Sequence, residues 1–174
     1  EDFAARSHEL ADIAYNKNYY SDHVIHLMDV AKDEGIRVPV NRQKMASLKP
    51  AFSEFGCVTA ATSSPLSDGA TSGFVVSEAI AQSLGLDGLE ILDCTWGHVA
   101  PEIMGLGPIP ALQKLFNRNR IKPSDIDSYE INEAFAVQVL ACQQELNLPT
   151  ERINNWGGAI SIGHPLGASG LRLI

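Results

Sequence analysis

The feature that most constrains this chain is a long uncharged stretch near its end. No Asp, Glu, Lys or Arg occurs from Ile153 to Leu171. Surfaces in contact with water rarely go so long without charge, so this stretch is expected to be buried or to line a pocket. Its central part is typical of a strand, a tight Gly/Pro turn and the start of a helix, and it reads Gly157-Gly158-Ala159-Ile160-Ser161-Ile162-Gly163-His164-Pro165-Leu166-Gly167-Ala168-Ser169-Gly170.

Helical and β-prone segments alternate along the rest of the chain. The patterns predict helices over 3–17, 77–85 and 132–146, with others opening at Pro110 and near Ala168. They predict strands over 73–76, 89–96, 128–131 and 159–162, and mostly loop over 18–50. Strands that alternate with helices indicate the α/β class with at least some parallel pairing.

Composition and charge exclude several classes of protein. The 174 residues are 45% hydrophobic and 20% charged, which is typical of a globular domain. A net charge of −8 has the wrong sign for general binding to nucleic acid. The three cysteines, Cys57, Cys94 and Cys142, form no CxxC pair, which favours a reduced, intracellular chain. No run of 18 apolar residues predicts a membrane span, and no metal site is predicted.

Asn132 lies between a predicted strand and a predicted helix, and two interpretations remain open. The helix over 132–146 is expected to be buried on all sides, because Gln138 is its only polar residue between positions 134 and 142. Asn132 is therefore either the N-cap of a buried helix or a ligand-facing amide. Open α/β sheets bind ligands outside the carboxyl ends of their strands, where an amide can donate to a developing negative charge.

His164 is the second polar group at a predicted strand end. A histidine near a helix N-terminus tends to stay neutral, and a neutral imidazole can take a proton from a thiol or hydroxyl. The alternative is a glycine-rich turn that holds a satisfied histidine. The segment Thr59-Ala60-Ala61-Thr62-Ser63-Ser64-Pro65-Leu66-Ser67-Asp68-Gly69 is either a plain hydroxyl-rich turn or a narrow groove for a thin polar ligand arm.

These motifs together resemble the thiolase family. Asn132-Glu133-Ala134-Phe135-Ala136 matches its Asn-Glu-Ala-Phe motif, and the run from Gly157 to Gly170 matches its Gly-His-Pro motif. Leu48-Lys49-Pro50-Ala51-Phe52 and Val58-Thr59-Ala60 match in the middle, so the resemblance covers essentially the whole chain. Among thiolases, the residues around these motifs most resemble the 3-ketoacyl-CoA thiolases of fatty-acid β-oxidation. Ketoacyl synthases usually carry two histidines, and Asn132 counts against them.

The resemblance implies a partial thiolase fold, with αβαβα layers, in a piece of a longer chain. Residues 1–50 would be a helix and part of the loop region. Residues 51–174 would be the C-terminal thiolase domain, truncated before its final strands. The family's nucleophilic Cys and its C-terminal acid/base Cys have no counterpart here, because Cys57, Cys94 and Cys142 lie in other contexts. The missing N-terminal half would be one partner, and the full protein would be a homodimer or homotetramer.

The resemblance also implies a reaction and its residues. Thiolases cleave 3-ketoacyl-CoA with coenzyme A, or run the reverse Claisen condensation, through a Cys-bound acyl group. His164 would activate the thiol, and Asn132 would help to hold the thioester oxygen. The coenzyme A contacts would be Ser64, Ala60, Phe135, Ala134, Phe52 and Arg37, with no tightly bound cofactor.

This piece alone is expected to be inactive, and its compartment would be the bacterial cytoplasm, the mitochondrial matrix or the peroxisome. A non-catalytic thiolase-like protein that binds acyl-CoA or lipid is the alternative function. A structural α/β domain that merely carries a glycine-rich turn is the third possibility, and it predicts no convergence of Asn132 and His164.

Overall fold

The computed structural model describes all 174 residues and is mainly helical. Its α-helices are α1 (Asp2–Asn16), α2 (Arg42–Ala46), α3 (Glu78–Leu84), α4 (Pro108–Asn119), α5 (Ala136–Leu146), α6 (Ala159–Ile162) and α7 (Leu166–Arg172). Short 3-10 helices lie among them over Ala60–Thr62, Pro101–Leu106, Pro123–Asp125 and Thr150–Arg152. None of these helices has both the length and the apolar character that crossing a membrane requires.

The predicted helices are confirmed, with small shifts at their ends. Helix α1 buries a face of small and apolar residues and packs against α6. Ser77 caps α3 by accepting the Ile80 amide, and the helix ends at Gly85 in the left-handed conformation, as the sequence predicts. Helix α4 begins at Pro108, two residues before the predicted start.

The four predicted strands do not form ladders. Residues 73–76 and 89–96 are neither helical nor paired, and residues 128–131 make a single parallel bridge from Tyr129 to Ile153. A strand needs a neighbouring strand to take up its N–H and C=O groups, and the chain supplies no more than this one bridge beside these segments. The prediction of regular strands is therefore wrong for this chain.

The fourth predicted strand is a helix, α6. The Ser161 hydroxyl donates to the Gly158 carbonyl at 2.9 Å, which closes a tight turn at the start of this segment. Packing against α1 buries Ala159 and Ile160, so tertiary contacts override the β-prone alternation of the sequence.

The core lies between α1, α5 and the uncharged stretch. Most residues from Ile153 to Ser169 are buried or half-buried, which confirms the expectation from their lack of charge. Helix α5 buries only one side, which includes Val139 and Cys142, while Val137 and Leu140 are exposed. The prediction that this helix is buried all round is wrong in this chain, because no layer covers its outer face.

Residues 66–100 form an extended part with little core of its own. Phe74 is 98% exposed and Leu92 is 83% exposed, and Trp96 also faces solvent. The first residues of this part lie alongside α7, where the Thr71 hydroxyl donates to the Ala168 carbonyl at 3.0 Å. Most of its other large apolar side chains are exposed to solvent.

Candidate functional site

The side chains of Asn132 and His164 meet in the folded chain. The Asn132 amide nitrogen Nδ2 lies 3.3 Å from the His164 ring nitrogen Nε2. Both residues are half-buried, and they are separated by 32 positions in the sequence. The two polar groups that the sequence analysis placed at predicted strand ends therefore lie side by side.

Asn132 reaches His164 because the chain before α5 stays extended. Residues 131–135 are not helical, and Phe135 rather than Asn132 is the N-cap of α5. The predicted capping role of Asn132 is therefore wrong. The side chain of Asn154 replaces a neighbouring strand here: its Oδ1 accepts the Ile131 amide and its Nδ2 donates to the Ile131 carbonyl, both at 2.8 Å.

Glu133, next to Asn132, is completely buried in a polar network. Its carboxylate accepts from the Ser7 hydroxyl at 2.7 Å, from Asn154 Nδ2 at 2.9 Å and from the Ile160 amide at 3.1 Å. Burial raises the pKa of Glu133, and these three hydrogen bonds oppose the shift by favouring the ionised form. The network ties the segment that carries Asn132 to α1 and α6.

His164 is held by a tight turn between α6 and α7. Gly163 adopts φ +83°, a conformation that favours glycine, and the following His164 amide donates to the Ser67 hydroxyl at 3.2 Å. On the other side of the ring, Nδ1 lies 2.7 Å from the hydroxyl of Ser169 in α7. Both the backbone and the ring of His164 are therefore fixed by hydroxyl groups.

The His164 imidazole is biased toward its neutral form. Burial lowers its pKa, and the Arg172 guanidinium lowers it further. The direction agrees with the expectation from sequence, although the causes are burial and a cation rather than the helix N-terminus. A neutral imidazole can accept a proton at neutral pH.

Four of the residues predicted to contact coenzyme A lie together. The Ser64 amide donates to the Ala134 carbonyl at 3.1 Å, and the rings of Phe52 and Phe135 meet edge to face at 5.7 Å between centroids. Ser63 pairs with Phe135 through one antiparallel bridge, so this group adjoins the segment that carries Asn132. The structure thus brings the hydroxyl-rich segment alongside the Asn-Glu-Ala-Phe motif.

The other two predicted contacts lie at different places. Ala60 opens the 3-10 turn that precedes Ser63 and is exposed. Arg37 is exposed beside α1, where its backbone amide donates to His8 Nδ1 at 3.3 Å. The structure describes no contact between Arg37 and the phenylalanine pair.

None of the three cysteines accompanies His164. Cys142 is buried in α5 and points its thiol at the Gly105 carbonyl at 3.5 Å, as expected for a core residue. Cys57 and Cys94 are exposed. No cluster of three or more His, Cys, Asp or Glu side chains is arranged to hold a metal ion.

Sequence reasoning missed three residues that organise the site: Glu133, Asn154 and Ser169. The sequence could have indicated the role of Glu133, because a carboxylate directly before an apolar helix needs hydrogen-bond partners if it is buried. Ser169 had a weaker signal, since it follows His164 by five positions at the start of a helix. Asn154 gave none, because its role depends on a positive φ of 47° that the sequence alone does not reveal.

Comparison with known proteins adds an independent line of evidence. The chain matches the N-terminal domain of thiolases over residues 1–79 and the C-terminal domain over residues 88–174. A probable acetyl-CoA acyltransferase of Staphylococcus aureus is 47% identical over 146 residues, which cover 83% of this chain and 37% of that protein. The division of the chain at residue 50 stays a prediction.

Solved thiolases superpose on nearly the whole chain. The dimeric peroxisomal thiolase of Saccharomyces cerevisiae is 37% identical with a TM-score of 0.87, covering 98% of this chain and 45% of that one. A thiolase from Ascaris suum, solved in complex with coenzyme A, is 29% identical with a TM-score of 0.88, covering 99% of this chain and 46% of that one. The chain thus spans less than half the length of these relatives.

The sequence motifs, the superposition and the domain matches agree, and they confirm a partial thiolase fold. The chain belongs to the thiolase family.

Proposed function

We propose that this chain supplies the imidazole and carboxamide half of an acyl-transfer site. The reaction is thiolytic cleavage of a 3-ketoacyl-CoA by coenzyme A, or the reverse condensation of acetyl-CoA. The observation that carries the proposal is the 3.3 Å approach of Asn132 Nδ2 to His164 Nε2. The similarity to a probable acetyl-CoA acyltransferase supports the same reaction class.

In this proposal His164 is the base and Asn132 is a hydrogen-bond donor. The neutral imidazole takes the proton of a thiol, and the resulting thiolate attacks the ketone carbon, C3, of the substrate. The C2–C3 bond then breaks: the acyl group stays on the attacking sulfur as a thioester, and acetyl-CoA leaves as an enolate that takes a proton from a second thiol. The Asn132 amide, acting through a water, and the protonated His164 then donate to the thioester oxygen as negative charge develops there. Removing one such donor typically costs about 100- to 1,000-fold in rate.

The pantetheine arm of coenzyme A is proposed to lie along the group formed by Ser64, Ala134, Phe135 and Phe52. These residues combine backbone polar groups with aromatic walls, and they continue directly into Asn132. Ala60 would extend the same wall. Arg37 stays in the proposal only as a contact to the adenine end, and it is the first assignment to test because its described hydrogen bond is to His8 in α1. Coenzyme A is a substrate here rather than a bound cofactor.

The reacting thiols are proposed to come from polypeptide outside these 174 residues. Cys142 is turned away into the core, and Cys57 and Cys94 make no contact with His164. Relatives of about twice the length offer room for such a segment. We propose that the complete protein is a homo-oligomer, as the yeast neighbour is dimeric.

Two measurements on the 174-residue chain test this function. Saturation-transfer NMR should detect coenzyme A protons near the protein, and the signal should fall in Phe135→Ala while staying unchanged in Phe74→Ala. A spectrophotometric assay with acetoacetyl-CoA and coenzyme A should show no turnover. Absence of coenzyme A binding would contradict the proposal that the pantetheine arm lies along Ser64, Ala134, Phe135 and Phe52.

If the 174-residue chain did turn over substrate and His164→Ala abolished this activity, acyl transfer at His164 would be supported. The proposal that the reacting thiols come from outside these 174 residues would then be contradicted. Binding that survives in a full-length, thiol-containing protein without any turnover would instead favour the non-catalytic acyl-CoA-binding alternative.

A further inference from the structure

Both ring nitrogens of His164 have a hydrogen-bond partner, and the partners are not equivalent. Asn132 Nδ2 lies 3.3 Å from Nε2, and the Ser169 hydroxyl lies 2.7 Å from Nδ1. A neutral imidazole carries a proton on one nitrogen and a lone pair on the other. The partners therefore decide which nitrogen can act as a base.

The hydrogen bonds around the ring run in one direction. With the Asn132 amide oriented as in the structure, Nδ2 donates and Nε2 accepts, which places the ring proton on Nδ1. Nδ1 then donates to the Ser169 oxygen, whose own proton goes to the Pro165 carbonyl at 3.1 Å. A carbonyl can only accept, so the series that starts at the amide ends there.

The opposite arrangement would disable the base. If the Ser169 hydroxyl donated to Nδ1, the ring proton would move to Nε2 and the Asn132 amide would have to rotate to present its oxygen. Nε2 would then have no lone pair for a thiol proton. The direction in which Ser169 points its proton thus separates an active tautomer from an inactive one.

We propose that Ser169 is a positioning residue that holds His164 as the Nδ1–H tautomer, with the Nε2 lone pair facing Asn132. Ser169 is only 2% exposed, and its hydroxyl is fixed within α7 by the bond to the carbonyl four residues earlier. The tautomer can be measured without any reaction. Its use as a base rests on the proposed function.

The proton balance of the step follows from this tautomer. When a thiol meets His164, it takes the place of the Asn132 amide at the Nε2 lone pair. Its S–H bond breaks, the proton bonds to Nε2, and the sulfur keeps the electron pair as a thiolate. The ring becomes an imidazolium with two N–H groups, and Ser169 continues to accept from Nδ1. The new Nε2–H is then the donor that the protonated ring offers to the thioester oxygen in the proposed reaction.

Nitrogen NMR of the chain labelled with ¹⁵N-histidine tests the proposal. Two-bond nitrogen–proton correlations, recorded above the pH at which the ring is protonated, distinguish a protonated from an unprotonated nitrogen. The chain has five histidines, so the His164 signals are assigned by their loss in His164→Gln. We expect the wild-type spectrum to show Nδ1 protonated and Nε2 unprotonated.

Variants of Ser169 provide the second part of the test. Ser169→Ala removes the acceptor, and the ratio of Nδ1–H to Nε2–H should fall by roughly three- to tenfold, the effect expected of one hydrogen bond. Ser169→Thr keeps the hydroxyl and should restore the wild-type ratio. Ser83→Ala is a matched control, because Ser83 also bonds back to a helix carbonyl but touches no ring.

Two results would overturn the proposal: an Nε2–H tautomer in the wild-type chain, or an unchanged ratio in folded Ser169→Ala. The wild-type spectrum decides the first point even if the alanine variant does not fold. A failure to bind coenzyme A would contradict the proposed function and leave the tautomer result intact, so the two failures are distinguishable.

Discussion

Two parts of the molecule have β-prone, apolar sequence and reach different states. The packed part, residues 129–169, buries Ile153, Val139 and Ile160 against α1 and carries the candidate site. The extended part, residues 66–100, leaves Phe74 and Leu92 almost fully exposed. The difference is one of available partners, because both parts contain apolar residues in comparable density.

The packed part shows how this chain replaces a missing strand neighbour. Asn154 uses its side-chain amide to bond both backbone groups of Ile131, and Glu133 takes up the Ile160 amide. Polar side chains thus satisfy backbone groups that a sheet would otherwise satisfy. Such bonds also occur in the extended part, from Thr71 to the Ala168 carbonyl and from Arg118 to the Cys94 carbonyl, but most of its large apolar side chains stay in contact with solvent.

The largest expected difference between the two parts is in the loss of stability when a large apolar side chain is truncated to alanine. Ile153→Ala should lower the free energy of unfolding by about 2–5 kcal/mol, because Ile153 is buried in the core. Leu92→Ala should change it by less than about 0.5 kcal/mol, because the side chain is already in solvent. Urea denaturation followed by circular dichroism measures both. Similar losses from the two variants would mean that the extended part packs in solution.

The next effect tests the polar network. Glu133→Gln should cost about 1–3 kcal/mol, since the new amide would set a donor against Asn154 Nδ2 or against Ser7 and Ile160. Burial raises the pKa of Glu133, so the folded state holds the proton more tightly than the unfolded state. Stability from this group is present below the unfolded pKa and is lost as pH rises toward the folded pKa.

Glu133→Gln also removes the pH dependence of stability that comes from Glu133, because glutamine does not titrate. The difference in unfolding free energy between wild type and Glu133→Gln should therefore shrink as pH rises above the unfolded value of about 4.5. Denaturation curves at several pH values measure the trend. A difference that grows with pH would show that the hydrogen bonds outweigh burial.

A comparable effect is expected from closing the space beside Glu133. A Cβ added at Gly158 would lie 2.5 Å from Glu133 Oε1, so Gly158→Ala should cost about 1–3 kcal/mol through overpacking. Gly88 has nothing within 4 Å of an added Cβ, which makes Gly88→Ala the control in the extended part. Thermal unfolding of both variants tests the contrast, and equal midpoints would contradict the packing described at Gly158.

The smallest expected effect is a shift in the titration of His164. Burial lowers its pKa first and Arg172 lowers it further, so proton NMR should give a midpoint below 6.5. Arg172→Gln should move the midpoint upward. Because the folded pKa is lowered, stability from neutral His164 is present above pH 6.5 and is lost as pH falls toward the folded midpoint. An unchanged midpoint in Arg172→Gln would exclude that cation as a cause.

The sequence predicted the helices and the meeting of Asn132 with His164 better than it predicted the strands. Helix ends follow from local capping residues such as Ser77 and Gly85, and these effects act within a few positions. The strands over 73–76 and 89–96 could not be settled in this way, because a strand depends on a neighbour that local sequence does not specify. The same limit hid Ser169, whose role exists only once α7 has turned back onto the ring.

The bonds from α1 to the site have a consequence for the order of folding. Ser7 contacts Glu133 and Ser161 at separations of 126 and 154 positions, and Arg6 reaches the Ile153 carbonyl across 147. Contacts this distant in the chain close late, because large loops must be ordered before the contacts form. We expect the amides of Gly158 and Ile160 to gain hydrogen-exchange protection in the same kinetic phase as α1 docks. A nick anywhere in the long connection would then delay the assembly of the site far more than it would disturb any single helix.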